Sequence, residues 1–79
     1  MTYKDFIAKY NPDFKCYAVY KESENGYIER ELILDTPHMT LSNRPYINCT
    51  SYYAREVYLD QITDVIVTSI RWKTPREVR

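Results

Sequence analysis

Apolar positions along the chain change period once, near Asn11-Pro12-Asp13. Before that point Tyr3, Phe6, Ile7 and Tyr10 recur at helical spacing. Thr2 stands where a cap belongs, and Asp5 falls in the first turn, where negative charge is favoured. Pro12 biases Asn11 out of the helical region, so the helix ends there. A helix of about ten residues is unstable alone and must dock on something.

After Asp13 the period falls to two. Phe14 to Lys21 (FKCYAVYK) and Tyr27 to Leu34 (YIERELIL) read as strands flanking Ser23-Glu24-Asn25-Gly26. A two-residue Asn-Gly turn sets Lys21 against Arg30 and Glu22 against Glu29, both like-charge pairs. A three-residue loop with Gly26 left-handed shifts the pairing by one, so that Lys21 faces Glu29 and Tyr20 faces Arg30. That register collects Cys16, Ala18, Tyr20, Ile28, Leu32 and Leu34 on one face. Tyr17, Val19, Lys21, Glu29, Glu31 and Ile33 share the other, and this is the register the sequence predicts.

Asp35-Thr36-Pro37-His38 and Ser42-Asn43-Arg44-Pro45 are turns, and Met39 to Leu41 between them is too short to assign. Tyr46 to Tyr53 is rich in strand formers, and Arg55 to Leu59 alternates. A turn at Asp60-Gln61 leads into Ile62 to Trp72, the most apolar strand candidate. The expectation is an α+β, mostly β fold. A short N-terminal helix packs on a strongly bent antiparallel sheet, or small SH3/Sm-like barrel, of about five strands. Residues 1–79 form one small domain, with 74–79 expected to be a mobile basic tail.

The chain has eleven basic and eleven acidic side chains, so its net charge is zero, which weakens the case for a protein that coats nucleic acid or membrane. The charge is uneven: residues 71–79 carry four basic groups and one acid, +3, leaving −3 for residues 1–70. No apolar run approaches the ~20 residues of a membrane span, and no export signal opens the chain. A cytoplasmic setting with Cys16 and Cys49 as free thiols is therefore expected.

The inventory for catalysis is poor. His38 is the only histidine, and no His or Cys spacing suits a metal. Asp35 and His38 suit a turn that satisfies its own polar groups, and neither cysteine has a visible base. Gly26, the only glycine, rules out a glycine-rich phosphate loop. The reading is not an enzyme, with no cofactor and no metal.

Nine tyrosines are more than so small a core can bury, because each hydroxyl needs a partner or water. Tyr3 and Tyr10 are expected to pack the helix on the sheet, and Tyr20, Tyr46 and Tyr58 to sit at core edges. Tyr17, Tyr27, Tyr52 and Tyr53 are expected outside. With Glu29, Glu31, Arg55, Arg71, Trp72 and Lys73 they make the candidate partner-binding set.

Tyr46-Ile47-Asn48-Cys49 and Arg55-Glu56-Val57-Tyr58-Leu59-Asp60-Gln61-Ile62 resemble the WYL domain over residues 46–62. Tyr46 and Ile47 match its tyrosine and leucine. Arg55 matches its arginine, and Leu59-Asp60 and Ile62 match its Leu-Asp-Arg-Ile. Pro45 stands in place of the tryptophan and Gln61 in place of the second arginine. The resemblance implies an Sm/SH3-like β module of the kind found in bacterial regulators and thought to sense nucleic-acid or nucleotide ligands, with Arg55 as the ligand contact.

Two functions compete. One is a protein-interaction module, a small inhibitor or adaptor that occludes a larger partner, of the type phages direct at host nucleic-acid-handling enzymes. In it the acidic hairpin mimics phosphates and tyrosines serve as hot spots. The other is a module binding single-stranded RNA or DNA, with Tyr52, Tyr53 and Trp72 stacking bases while Arg44, Arg55, Arg71 and Lys73 contact phosphates. Zero net charge penalises the second and costs the first nothing, so the first is preferred. A homodimer through an exposed edge strand is compatible with either.

Overall fold

Helix α1 (Tyr3–Lys9) starts where a hydroxyl caps it. Thr2 Oγ1 accepts from the Asp5 N–H at 3.1 Å, and the Phe6 N–H donates to the Thr2 carbonyl. The computed structural model describes residues 1–21, 26, 28–51 and 53–72. Phe6 is the helix's buried residue, and its ring stacks on that of Tyr10 with centroids 5.2 Å apart. Tyr3, expected against the sheet, is exposed instead, as is Ile7: so short a helix turns only a narrow stripe inward. Past the cap, Asn11 Oδ1 accepts from the Asp13 N–H at 3.0 Å and turns the chain into the sheet.

The strands are β1 (Phe14–Lys21), β2 (Ile28–Ile33), β3 (His38–Met39), β4 (Pro45–Thr50), β5 (Ala54–Tyr58) and β6 (Ile62–Arg71). A 3₁₀ turn, Leu59–Gln61, joins the last two. The unassigned Met39 segment thus supplies β3, and β4 ends at Thr50 rather than running to Tyr53. Asn43 adopts φ 64°, a conformation asparagine tolerates, and closes the β3–β4 loop with the Arg44 N–H donating to Thr40 Oγ1.

All pairings are antiparallel. β6 pairs with β1 and β1 with β2; β2 and β3 both lie along one side of β4, and β5 lies along the other. The β1–β6 register shifts between Phe14 and Cys16 and again between Val19 and Tyr20. Such bulges bend a strand and increase its twist, which helps roll the sheet into a half-barrel. The fold is α+β, mostly β, one short helix on a strongly curled sheet, consistent with an SH3/Sm-like barrel. Phe6 and Tyr10 from the helix meet Cys16, Ala18, Tyr20, Ile33, Ile47, Cys49, Val57, Leu59, Ile62 and Val65 in the core.

The β1–β2 register corrects the expected one. Gly26 is left-handed, with φ 74°, but Tyr20 pairs with Glu29, Lys21 with Ile28 and Val19 with Arg30. This is one residue beyond the expected register. Because side chains alternate, a slip of one residue turns every side chain of β2 to the opposite face. Glu31 and Ile33 therefore point into the barrel, at 2% and 1% exposure, while Ile28 and Leu32 point out. Glu31, expected on a solvated acidic face, is not a surface residue.

Candidate interaction surface

The buried carboxylate of Glu31 is held from two strands through Oε2 alone, and Oε1 has no hydrogen-bond partner among the described residues. The Tyr20 hydroxyl donates to Glu31 Oε2 at 2.8 Å, and Arg55 Nε lies 3.4 Å from the same oxygen. Arg55 reaches inward from β5, donating through Nη1 to Tyr20 (3.1 Å) and through Nη2 to the exposed hydroxyl of Tyr53 (3.2 Å). The guanidinium also lies 5.2 Å from the Tyr53 ring centroid. Arg55 thus serves first as the ionic partner of the buried Glu31, because a buried charge is costly unless it is paired.

Cys49 shares that interior. Burial, with the nearby carboxylates of Glu31 and Asp35 adding to it, pushes its thiol up to about 12. It is held as a neutral thiol and not as a thiolate nucleophile. Cys16 is also buried and free, its thiol within 3.3 Å of the Asn11 carbonyl.

The second arginine singled out for phosphate contact is likewise engaged. Arg44 makes a two-point bond to Asp60, Nε to Oδ2 at 2.7 Å and Nη2 to Oδ1 at 2.8 Å. Its guanidinium lies 3.5 Å from the Tyr58 ring centroid. The hydrogen bonds raise the Arg44 pKa and lower that of Asp60. Asp35 behaves as its turn predicts: it takes His38 Nε2 at 2.8 Å and Asn48 Nδ2 at 3.0 Å. Burial works against its charge, but these bonds outweigh it and hold the carboxyl below its usual range.

The remaining candidates sit elsewhere. Arg71 lies 4.6 Å from the Phe14 ring centroid and Lys15 lies 5.7 Å from that of Trp72, a small basic and aromatic cluster at one end of β1 and β6. Tyr17 is half-buried on the outer face, and Glu29 is half-buried in β2 beside Tyr20. Tyr27, Tyr52, Lys73 and the 74–79 tail lie outside the described residues. Among the described residues there is no group of three or more metal-ligating side chains, and no helix is long and apolar enough to cross a membrane. An open groove of about 560 Å³ runs between α1 and β6, but Lys9 on its wall is bonded to Asp64 and Asp60 to Arg44.

The arrangement that stands out lies on the barrel's exterior. Reading the pairings across the sheet, Ile66 is opposite Tyr17, Tyr17 opposite Leu32, Leu32 opposite Thr50, and Thr50 opposite Ala54. Cys16 and Ala18, either side of Tyr17, point inward, so this row faces out. It is a strip of uncharged side chains crossing five strands; exposed Ile28 shares the outer face of β2 but stands four residues from Leu32, with exposed Arg30 between them. Tyr17 was legible as a candidate. Leu32 and Ile66 were not, because the alternation of β2 argues for Leu32 inside. Once the register is known, the signal is that β2 turns two acids inward and Ile28 and Leu32 outward. No protein-family model, curated protein or solved structure matches the chain.

Proposed function

We propose that this small β domain is a non-catalytic protein-interaction module, an inhibitor or adaptor that occludes part of a larger folded protein. The observation that carries the reading is the outer row Ile66–Tyr17–Leu32–Thr50. A mostly apolar strip running across a sheet to its edge, with an amphipathic tyrosine within it, is what a protein interface uses as its anchor. The occupant it suits is an apolar patch on a globular partner. The narrower identity, a phage inhibitor of a host nucleic-acid-handling enzyme, rests on size and chemical plainness. The acidic-hairpin version of it loses Glu31 to the core.

The basic and aromatic cluster of Phe14, Lys15, Arg71 and Trp72 favours the second reading, a module for single-stranded RNA or DNA. Against it stand the carboxylates that already hold Arg44 and Arg55.

A photo-crosslinking amino acid at position 17, and a second at the exposed Lys4 of α1 as control, tests the first reading in cells expressing the full chain. The expected result is one dominant protein adduct from position 17, lost when Leu32→Asp is added. Equal labelling from both positions, or crosslinks to nucleic acid only, would overturn it.

A further inference from the structure

Nine consecutive residues of β6, Ile62-Thr63-Asp64-Val65-Ile66-Val67-Thr68-Ser69-Ile70, read almost alike in both directions about Ile66. Among the described residues β6 pairs with one strand, β1, and so ends the sheet. From these two facts we propose that two copies of the chain associate through β6, antiparallel about a twofold axis at Ile66, as a weak reversible homodimer. This inference does not rest on the partner protein proposed above, although both use Ile66.

The geometry restricts where the axis falls. In an antiparallel ladder, successive residues direct their N–H and C=O groups to alternate sides, so only every second residue of β6 offers hydrogen bonds to its open edge. Two identical strands match edge-facing groups with edge-facing groups only if the axis passes through a residue, not between two. Placed at Ile66, it sets Ile66 against Ile66, Val65 against Val67, Asp64 against Thr68, Thr63 against Ser69 and Ile62 against Ile70. Every apolar residue meets an apolar one, and no like charges oppose. Moved to Val67, the axis sets Asp64 against Ile70 and Val65 against Ser69. Moved to Val65, it sets Asp64 against Ile66 and Thr63 against Val67. Only Ile66 pairs like with like.

The monomer buries Ile62 and Val65 of this strand in the core and leaves its outer positions in water. Ile66, Val67 and Ile70 are 36%, 42% and 57% exposed. The strand holds no Lys or Pro, the residues that commonly protect a sheet edge. Its guards are milder: two register shifts against β1, and the Asp64 carboxylate, which accepts from the Val65 N–H at 2.8 Å and from Lys9 at 2.7 Å. The shifts leave Asp64 to Val67 as the regular stretch. The ladder is therefore short and the dimer concentration-dependent. Formed, it joins the outer rows of two barrels through Ile66.

Sedimentation velocity on the full chain, from about 10 µM to about 1 mM, tests this, with dimer expected to accumulate across the range. Ile66→Lys sets two ammonium groups face to face at the axis and should weaken association at least about tenfold, with circular dichroism checking that the variant folds. Ile66→Cys should form a disulfide-linked dimer under mild oxidation. Directly opposed residues lie about 4.5–5.5 Å apart between Cα atoms, within disulfide reach. Ser69→Cys, opposite Thr63, should not. A chain that stays monomeric throughout would overturn the proposal. So would a dimer that survives Ile66→Lys, or one that Ser69→Cys links as readily as Ile66→Cys.

Discussion

Tyr20 donates its hydroxyl to Glu31 at 2.8 Å inside the barrel, joining neighbouring strands through a carboxylate that local alternation assigns to solvent. The energetic consequence is that Glu31 depends on Arg55, which comes from a strand elsewhere in the sequence. Arg55→Met removes the counter-charge of a buried acid. Its own side chain is partly exposed, so the expected cost is at the lower end for a broken buried pair, about 2–3 kcal/mol in urea unfolding. Glu31→Leu combined with Arg55→Met should recover most of that loss. A double variant no more stable than Arg55→Met would mean that the pair does not act as a unit.

Tyr20→Phe deletes one donor to the same carboxylate while keeping the ring. The expected loss is about 1–2 kcal/mol, read as a lower urea midpoint with unchanged slope.

Arg44 offers the contrast. Its bond to Asp60 is better in geometry than that of Arg55 to Glu31, yet it lies in water. Arg44→Ala should cost much less than Arg55→Met, mostly through the lost stack on Tyr58, and the difference should shrink in high salt. An effect as large as that of Arg55→Met would contradict the assignment of burial as the deciding variable.

Stability should fall at both pH extremes for identifiable reasons. Cys49 ionises near 9.0 when unfolded and at about 12 when folded, so its contribution is complete below pH 9.0 and lost progressively as pH rises toward 12. Cys49→Ala should flatten that alkaline decline, and ellipticity melts from pH 8 to 11 would read it. On the acid side Asp35 is held below its ordinary value of 3.8, so its contribution is present above that value and lost as pH falls through the lower folded one. Asp35→Asn should be less acid-sensitive than the parent between pH 4 and 2.

For nucleic acid, fluorescence anisotropy with labelled single-stranded RNA, single-stranded DNA and duplex DNA at about 50 and 200 mM salt should show no tight binding. Steep, salt-sensitive binding to single strands that Lys15→Glu with Arg71→Glu abolishes would instead establish the second reading.

Local chemistry determined most of the elements. Thr2 caps the helix, which ends at Lys9 with Tyr10 already extended, short of the expected stop at Asn11-Pro12; β1 covers Phe14–Lys21 as the alternation predicts, and β6 begins after the Asp60-Gln61 turn. The bent, mostly β fold follows from that order. What local alternation predicted wrongly was how β1 and β2 slide past each other. Both the expected register and the observed one avoid like-charge pairs, and the apolar content of β2 argues for Leu32 inside. The choice belongs to the tertiary structure, because burying Glu31 is tolerable only when Arg55 arrives from β5 and Tyr20 from β1 to hold its charge. That one decision moved Glu31 from surface to core and Leu32 from core to surface. It placed the outer row where a partner can reach it, a result that alternation within a single strand cannot foresee.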